Sequence, residues 1–324
     1  MIGIFKQKTP VNILILFVAG VLLKLSTFTH PHAPLVTEDD TFLYHQLIEW
    51  LRTHASPGVV AALAYSLIFL QAMIVNRFVS DYRMVQKSTY LPAMSYLLVS
   101  SLLPEWNWFS APLIINTLLL LIFFALFRLY NQQHIRGMVF NIGLILGLSS
   151  FFLSSSFLFI IWVLPALFVM KPIRIQEWII CVMGLLTPYY FYAAWLLITG
   201  EWGWHKIIPP LSIQIPVLEP SYWLPGAALL MLIPFLVGGY FIQVNLRRML
   251  IQVRKNWSLV LIYLLVSLFV PFLSKAEYFE NFVVIVIPFA IFHSCAYFYP
   301  KARFFPLLLF WATVGFVVAR EYLV

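Results

Sequence analysis

Apolar residues fill most of the chain in long runs, and short polar segments separate these runs. A helix that crosses about 30 Å of hydrocarbon needs roughly 20 apolar residues, and runs of about 17 suffice where the bilayer is thin. This criterion predicts about eleven transmembrane helices. The predicted spans are residues 12–28, 58–79, 89–103, 111–130, 138–152, 154–170, 178–199, 222–243, 258–273, 281–298 and 304–319.

Residues 138–170 form a single apolar run that is too long for one straight span. The polar residues that interrupt this run are serines, at positions 149–150 and 154–156. We place an interruption at these serines. The run is then either two spans or one bent helix, and we interpret it as two.

Two predicted outer loops are long, residues 29–57 and 200–221, whereas the other connections are short. Within the first loop, apolar and polar residues fall on opposite faces of a helix over residues 41–53. The apolar face comprises Phe42, Leu43, Leu47, Trp50 and Leu51. Such a pattern predicts an interfacial helix whose apolar face contacts lipid.

Composition supports one membrane domain over residues 1–324. Hydrophobic residues make up 62% of the chain and charged residues 10%, against roughly 45–50% and 25% in soluble domains. The long apolar runs predict an all-α polytopic bundle, because a helix satisfies its own backbone hydrogen bonds within lipid. Both cysteines, Cys181 and Cys295, lie inside apolar runs and indicate neither a disulfide nor a metal site.

Charge predicts the orientation, because Lys and Arg in short loops stay on the cytoplasmic side. An inner N-terminus and an outer C-terminus place most of the 20 basic residues inside and all of the 12 acids except Asp81 and Glu177 outside. Lys24 lies within the first predicted span and could extend toward the outer surface. This asymmetry explains the net charge of +8 without a nucleic-acid partner.

Three adjacent acids, Glu38, Asp39 and Asp40, precede the interfacial helix in the first outer loop. A carboxylate in this position could take a proton from an incoming acceptor or hold a divalent cation. The alternative is structural, because Thr37 and these acids fit a capping box and acids favour a helix N-terminus. Three neighbouring carboxylates exceed what a cap requires.

The second outer loop combines two indoles with basic side chains: Trp202, Trp204, His205 and Lys206. The basic groups could contact a lipid phosphate while an indole stacks on a sugar. The alternative is an aromatic belt at the membrane surface. The histidines of the first loop are not spaced as metal ligands, so no metal site is predicted.

Polar side chains are few within the predicted spans, and no Asp or Glu lies there. Ion-coupled transporters usually carry acids near the membrane midplane. Asn116 and His293 are the remaining candidates for such a site. Their residue types are more typical of hydrogen bonds between helices, which makes a transporter the third hypothesis.

The order of elements resembles the GT-C superfamily of polyprenyl-phosphate-sugar glycosyltransferases: an inner N-terminus, one span, a long acidic outer loop with an interfacial helix, then short-looped spans. Residues 76–92, which begin Asn-Arg-Phe, and 143–148, with two glycines, are similar to further GT-C motifs. The resemblance implies a catalytic acid at Asp39 or Asp40. It also implies a second outer carboxylate in several members, for which Glu105 is the position considered.

Residues 3–12 resemble the start of an uncharacterised family of multi-pass inner-membrane proteins from Bacteroidota. The leading hypothesis is therefore an inner-membrane glycosyltransferase that uses a polyprenyl-phosphate sugar at the periplasmic face. Its partners would be membrane lipids. The alternative is a non-enzymatic scaffold or accessory subunit of an envelope complex, with membrane-protein partners that the sequence does not identify.

Overall fold

The computed structural model describes residues 2–37, 39–171, 175–207, 223–274, 279–302 and 304–323. These residues form helices and their connections, with no β-strand and one isolated bridge between Asp40 and Leu153. The α-helices are α1 (Ile2–Phe5), α2 (Val11–Leu23), α3 (Leu25–Thr29), α4 (Phe42–His54), α5 (Pro57–Asp81), α6 (Leu91–Ser100), α7 (Ala111–Arg128), α8 (Arg136–Ser149), α9 (Ile160–Met170), α10 (Ile175–Ile198), α11 (Trp204–Ile207), α12 (Trp223–Leu246), α13 (Ile251–Phe269), α14 (Val286–Phe298) and α15 (Phe304–Leu323). Short 3-10 helices cover Pro104–Asn107, Leu129–Asn131, Ser154–Phe159, Val270–Leu273 and Glu280–Ile285.

Seven helical segments of the described chain are long and apolar enough to cross a membrane. They are Pro57–Asp81, Ala111–Arg128, Ile175–Ile198, Trp223–Leu246, Ile251–Leu273, Glu280–Phe298 and Phe304–Glu321. Four shorter apolar helices accompany them: Val11–Leu23, Leu91–Ser100, Arg136–Ser149 and Ser154–Met170. The protein is therefore an all-α, multi-pass integral membrane protein, and each of the predicted spans overlaps one of these helices.

The serine-rich interruption lies where the sequence predicts it. Helix α8 ends at Ser149, and the next helical segment begins at Ser154 and continues into α9. The hydroxyl oxygens of Ser149 and Ser156 lie 3.0 Å apart across this turn. Residues 138–170 thus form two helical segments.

Helix α4 covers the predicted interfacial helix, but the face that it buries is different. Tyr44, Ile48 and Leu51 are buried against the bundle, whereas Phe42 and Trp50 are 40% and 57% exposed. The prediction that the whole apolar face contacts lipid is wrong for this reason. The helix packs on its own protein through residues spaced by three or four positions, which is the spacing of one helical face.

The first predicted span is divided at Lys24, where α2 ends and α3 begins. The Lys24 side chain is buried, and its ammonium donates to the Ser100 hydroxyl at 3.0 Å and to the Asn107 side-chain carbonyl. Lys24 therefore does not extend to the surface. Because a buried charge needs hydrogen-bond partners, this contact anchors the first helix to the end of α6.

Helices α8 and α10 make close backbone contact through glycines. A Cβ on Gly143 would overlap the carbonyl of Cys181, and one on Gly147 would overlap the carbonyl of Leu185. From the other helix, a Cβ on Gly184 would overlap the Phe140 carbonyl. Small residues four positions apart allow such packing between membrane helices, which accounts physically for the glycines of residues 143–148.

We predict that Gly147→Ala destabilises the protein by about 1–3 kcal/mol, because the added methyl group forces α8 and α10 apart. Gly315→Ala is the matched control, since a Cβ at Gly315 in α15 meets nothing within 4 Å. Thermal unfolding in detergent, followed by tryptophan fluorescence, would compare the two. Equal melting temperatures for both variants would contradict the packing role.

Candidate functional site

Four connecting segments meet at one end of the helix bundle: the loop before α4 (described residues 35–37 and 39–44), residues 104–109, residues 149–156 and residues 279–285. The first of them is tied to the serine-rich turn by backbone hydrogen bonds. The Ser154 amide donates to the Asp39 carbonyl at 3.1 Å, and the Leu43 amide donates to the Phe151 carbonyl at 3.1 Å. The acidic loop is thereby held against residues 149–156.

The same loop also contacts the segment between α6 and α7. The Leu35 amide donates to the Phe109 carbonyl at 3.0 Å, and the buried Tyr44 hydroxyl donates to the Leu35 carbonyl at 2.6 Å. From this segment, the Trp106 indole donates to the Phe279 carbonyl at 2.9 Å. The residue after Phe279 is Glu280, so the chain of contacts connects the first loop to the start of the segment before α14.

Three carboxylates are buried where these segments meet. Asp39, Asp40 and Glu280 expose only 1%, 7% and 1% of their surface. The Thr37 amide donates to Asp40 Oδ2 at 2.6 Å. The other oxygen of this carboxylate, Oδ1, is buried and has no hydrogen-bond partner among the described residues. A buried carboxylate oxygen without a donor favours the protonated, neutral form.

The electrostatics of the site act most clearly on Asp40. Burial raises the pKa of Asp40 from 3.8 to about 7, hydrogen bonding by Thr37 opposes this shift, and the negative charges of Glu280 and Asp39 add to it. A carboxyl group that titrates near neutral pH can accept and release a proton under physiological conditions. The arrangement is therefore capable of acid–base chemistry.

The Thr37 and Asp40 contact expected for a capping box does form, since the Thr37 amide donates to Asp40 Oδ2, but it lies ahead of α4 and does not cap that helix. Helix α4 begins at Phe42 with Thr41 as its N-cap, and its first turn contains no acidic residue. Both aspartates precede this N-cap, and their backbones contact the serine-rich turn: the Asp39 carbonyl accepts from the Ser154 amide, and Asp40 forms the bridge with Leu153. Glu38 lies outside the described residues.

An apolar groove of about 310 Å³ is formed by the start of α4 together with α8 and α10. Its lining residues are Phe42, Leu43, Leu144, Leu148, Phe151, Thr187, Pro188, Phe191 and Tyr192. The lining does not include Asp39, Asp40 or Glu280, but Phe42 follows Asp40 by two residues in the chain. Phe151 likewise precedes Leu153, the bridge partner of Asp40, by two residues. Phe191 is 66% exposed on spanning helix α10, so the groove opens on the lipid-facing surface.

Glu105 lies in the neighbouring segment but belongs to a different cluster. Burial raises the pKa of Glu105, and the positive charge of Arg320 opposes the shift. The Arg320 guanidinium in turn donates to the Leu102 carbonyl. The charges that act on Asp40 are those of Glu280 and Asp39 and do not include Glu105.

The predicted contacts of the second outer loop lie at the surface. The Lys206 ammonium is 2.8 Å from the Glu201 carboxylate, and this pair holds the pKa of Glu201 below its ordinary value. Trp202 and Trp204 pack edge to face, with ring centroids 5.2 Å apart. The His205 side chain and residues 208–221 lie outside the described part of the chain.

Sequence reasoning overlooked Glu280 as a site residue, since it counted this glutamate only among the outer acids. Its position could have indicated a role, because Glu280 directly precedes an apolar run and Asp40 similarly stands just before α4. Among the described residues, no group of three or more His, Cys, Asp or Glu side chains could hold a metal ion. The divalent cation stays a prediction.

Comparison with known families matches most of the chain. Residues 47–318 match a family of unknown function (DUF6427). Since the match covers most of the chain, the protein belongs to this family. No curated protein and no solved structure matches the chain.

We predict that Asp40→Asn stabilises the protein above neutral pH. Asp40 titrates near 3.8 when unfolded and near 7 when folded. Asp40 therefore does not lower the free energy of unfolding below pH 4. As the pH rises toward 7 this free energy decreases, and ionisation of the Asp40 carboxyl then costs about 2–4 kcal/mol. The variant should melt higher than wild type at pH 8 and equally at pH 4.

Glu49→Gln is the matched control, because Glu49 is an exposed carboxylate on α4. It should leave the melting temperature unchanged at both pH values. A lower melting temperature of Asp40→Asn at pH 8 would show that the carboxylate is stabilising and would contradict the burial argument.

Proposed function

We propose that this DUF6427 protein is a GT-C-like glycosyltransferase that uses a polyprenyl-phosphate sugar at the outer face of the bacterial inner membrane. The observation that carries the proposal is the buried carboxylate site, together with an apolar groove whose lining residue Phe42 follows Asp40 by two residues. Asp40, with a pKa of about 7, is the proposed general base. The groove next to Phe42 supplies an apolar path for the hydrocarbon chain of the donor.

In the proposed reaction, Asp40 accepts the proton of an acceptor hydroxyl. The acceptor oxygen forms a bond to the anomeric carbon of the sugar, while the bond from that carbon to the phosphate oxygen breaks. The electron pair leaves with the polyprenyl phosphate. A base whose pKa is close to the ambient pH is partly deprotonated before the reaction and remains basic enough to take the proton.

Two neighbours are assigned to Asp40 as positioning residues. The Asp39 carbonyl accepts from Ser154 and thereby holds the loop in place. The negative charge of Glu280 raises the basicity of Asp40. In this assignment Glu280 takes the position of the second outer carboxylate, and Glu105 lies with Arg320.

Lys206, Trp202 and Trp204 are the proposed contacts to the donor headgroup, with His205 beside them. Their exposure supports this assignment, because a headgroup reaches them without displacing the protein core. The indoles offer flat apolar faces on which a sugar can stack. The Lys206 ammonium would exchange its exposed partner Glu201 for a phosphate.

The proposed orientation has an inner N-terminus, an outer C-terminus and eleven spans. It is supported by the distribution of charge between the two ends of the bundle. Helix α6 runs toward the carboxylate site, whereas the loop before α6 and the turn between α12 and α13 carry Arg83, Lys87 and Arg248. The positive-inside rule assigns this basic end to the cytoplasm and the carboxylate end to the periplasm.

Replacing Asp39 and Asp40 together by Asn should abolish sugar transfer, because the base and its neighbouring carboxylate are lost. In a strain whose chromosomal gene is deleted, the variant should leave polyprenyl-phosphate sugars unconsumed, as measured by mass spectrometry of extracted lipids. Glu49→Gln, on the exposed face of α4, should restore the wild-type pool. Identical lipid-linked sugar pools and surface glycans in the double variant and wild type would refute the proposal.

Glu280→Gln should shift the pH dependence of transfer. The rate should rise with pH as Asp40 loses its proton, and removing the Glu280 charge lowers the pKa of Asp40. The acidic limb of the pH profile should therefore move to lower pH in vesicles that contain the purified variant. Glu105→Gln should leave this limb in place, and the reverse result would assign the second carboxylate to Glu105.

A further inference from the structure

A second cavity, of about 250 Å³, lies at the opposite end of the bundle from the carboxylate site. The segment after α5 and the turn between α12 and α13 form most of its wall, and Tyr299 after α14 completes it. The lining residues are Arg83, Met84, Val85, Gln86, Asn245, Arg248, Met249, Leu250, Val253 and Tyr299. These include two guanidinium groups and neither Asp nor Glu.

Arg83 occupies a backbone position that glycine would normally fill. Its φ is 49°, and it is the sole non-glycine residue with positive φ in the described chain. The Arg83 amide donates to the Ser80 carbonyl at 3.2 Å and the Met84 amide to the Val79 carbonyl at 3.0 Å. This pair of bonds is the Schellman motif, in which glycine is preferred at the left-handed position.

An arginine in this position is strained relative to glycine, so the helix end alone does not explain it. Strained residues persist where the surrounding structure holds them, and they concentrate at binding sites. The position of Arg83 brings its side chain to the same cavity as Arg248, which follows α12 in a tight turn. The cavity is therefore a place where two positive charges from distant parts of the chain meet.

The surroundings leave these charges available for a ligand. The nearest acid in sequence, Asp81, pairs with Arg77 at 3.3 Å. Both Arg83 and Arg248 are exposed, whereas Met84, Val85 and Val253 are buried and form an apolar floor. Within the described part of the chain, the Tyr299 hydroxyl also lacks a hydrogen-bond partner.

We propose that this cavity binds a phosphate group between Arg83 and Arg248. Guanidinium groups match phosphate oxygens in charge and in the geometry of their paired N–H donors. The phosphate belongs either to the headgroup of an anionic phospholipid or to a soluble anion. Leu250 and Ile251 beside the cavity are 67% and 58% exposed, and they provide the apolar surface that the acyl chains of a lipid would contact.

Binding should be measured on the purified full-length protein in a neutral detergent. Three probes separate the possible sources: dioctanoyl phosphatidylglycerol, dioctanoyl phosphatidylcholine and inorganic phosphate. A ligand that binds the folded state raises the melting temperature with concentration, which yields an apparent dissociation constant. Phosphatidylglycerol should raise it, and phosphatidylcholine should not.

The decisive variant combines Arg83→Gly with Arg248→Ala. It should weaken the binding of phosphatidylglycerol by about tenfold or more, since two charge-assisted contacts are removed. The matched control combines Arg247→Ala with Arg254→Ala. Both of these arginines are exposed at the same end but do not line the cavity, so the control makes the same change in net charge.

The single variant Arg83→Gly distinguishes weakened binding from loss of the folded state. It should melt at or above the wild-type temperature without ligand, because glycine relieves the left-handed backbone, and it should still bind phosphatidylglycerol more weakly. If inorganic phosphate also binds, a soluble anion suffices; if it does not, the headgroup in its lipid is required. Equal weakening in the cavity variant and the control variant, or no binding of either phosphatidylglycerol or inorganic phosphate, would overturn the proposal.

Discussion

The absence of water from the membrane interior constrains every other feature of this structure. Backbone amides and carbonyls in lipid must find partners within the chain, and helices satisfy this requirement. Polar side chains follow the same rule. The Tyr96 hydroxyl donates to Gln71 at 2.6 Å, and Asn116 donates to the Tyr96 hydroxyl at 2.9 Å. These side chains join α5, α6 and α7 within the bundle, as hydrogen bonds between membrane helices do.

The same constraint explains where the carboxylates are found. Non-helical backbone is stable only where other protein groups or water can form hydrogen bonds with it. It is therefore found at the ends of the helices. At one end, the segments around Asp39, Trp106, Ser154 and Phe279 satisfy one another by hydrogen bonds. Their mutual packing buries three acids that would be solvated in separate loops. Burial, together with the proximity of like charges, then brings the pKa of Asp40 near neutral.

The two ends of the bundle differ in charge, and each contains a residue type that is unusual for its local environment. At the carboxylate end, Asp40 is buried, and its Oδ1 has no hydrogen-bond partner among the described residues. At the opposite end, Arg83 takes a backbone conformation that suits glycine. Such departures from the best local choice are expected where a chain serves a function as well as a fold. The acidic end supports the proposed transfer reaction, and the basic end supports a separate phosphate site.

The sequence by itself determined the membrane class, the approximate helices and the break among the serines at residues 149–156, because these follow from the length and composition of local runs. It also located Asp39 and Asp40 ahead of α4. Only the tertiary structure decided that Glu280 lies beside Asp40, that Lys24 bonds to Asn107, and which face of α4 is buried. These features depend on which helix ends are neighbours. That choice is made by packing between segments far apart in the chain, such as the glycine contact of α8 with α10.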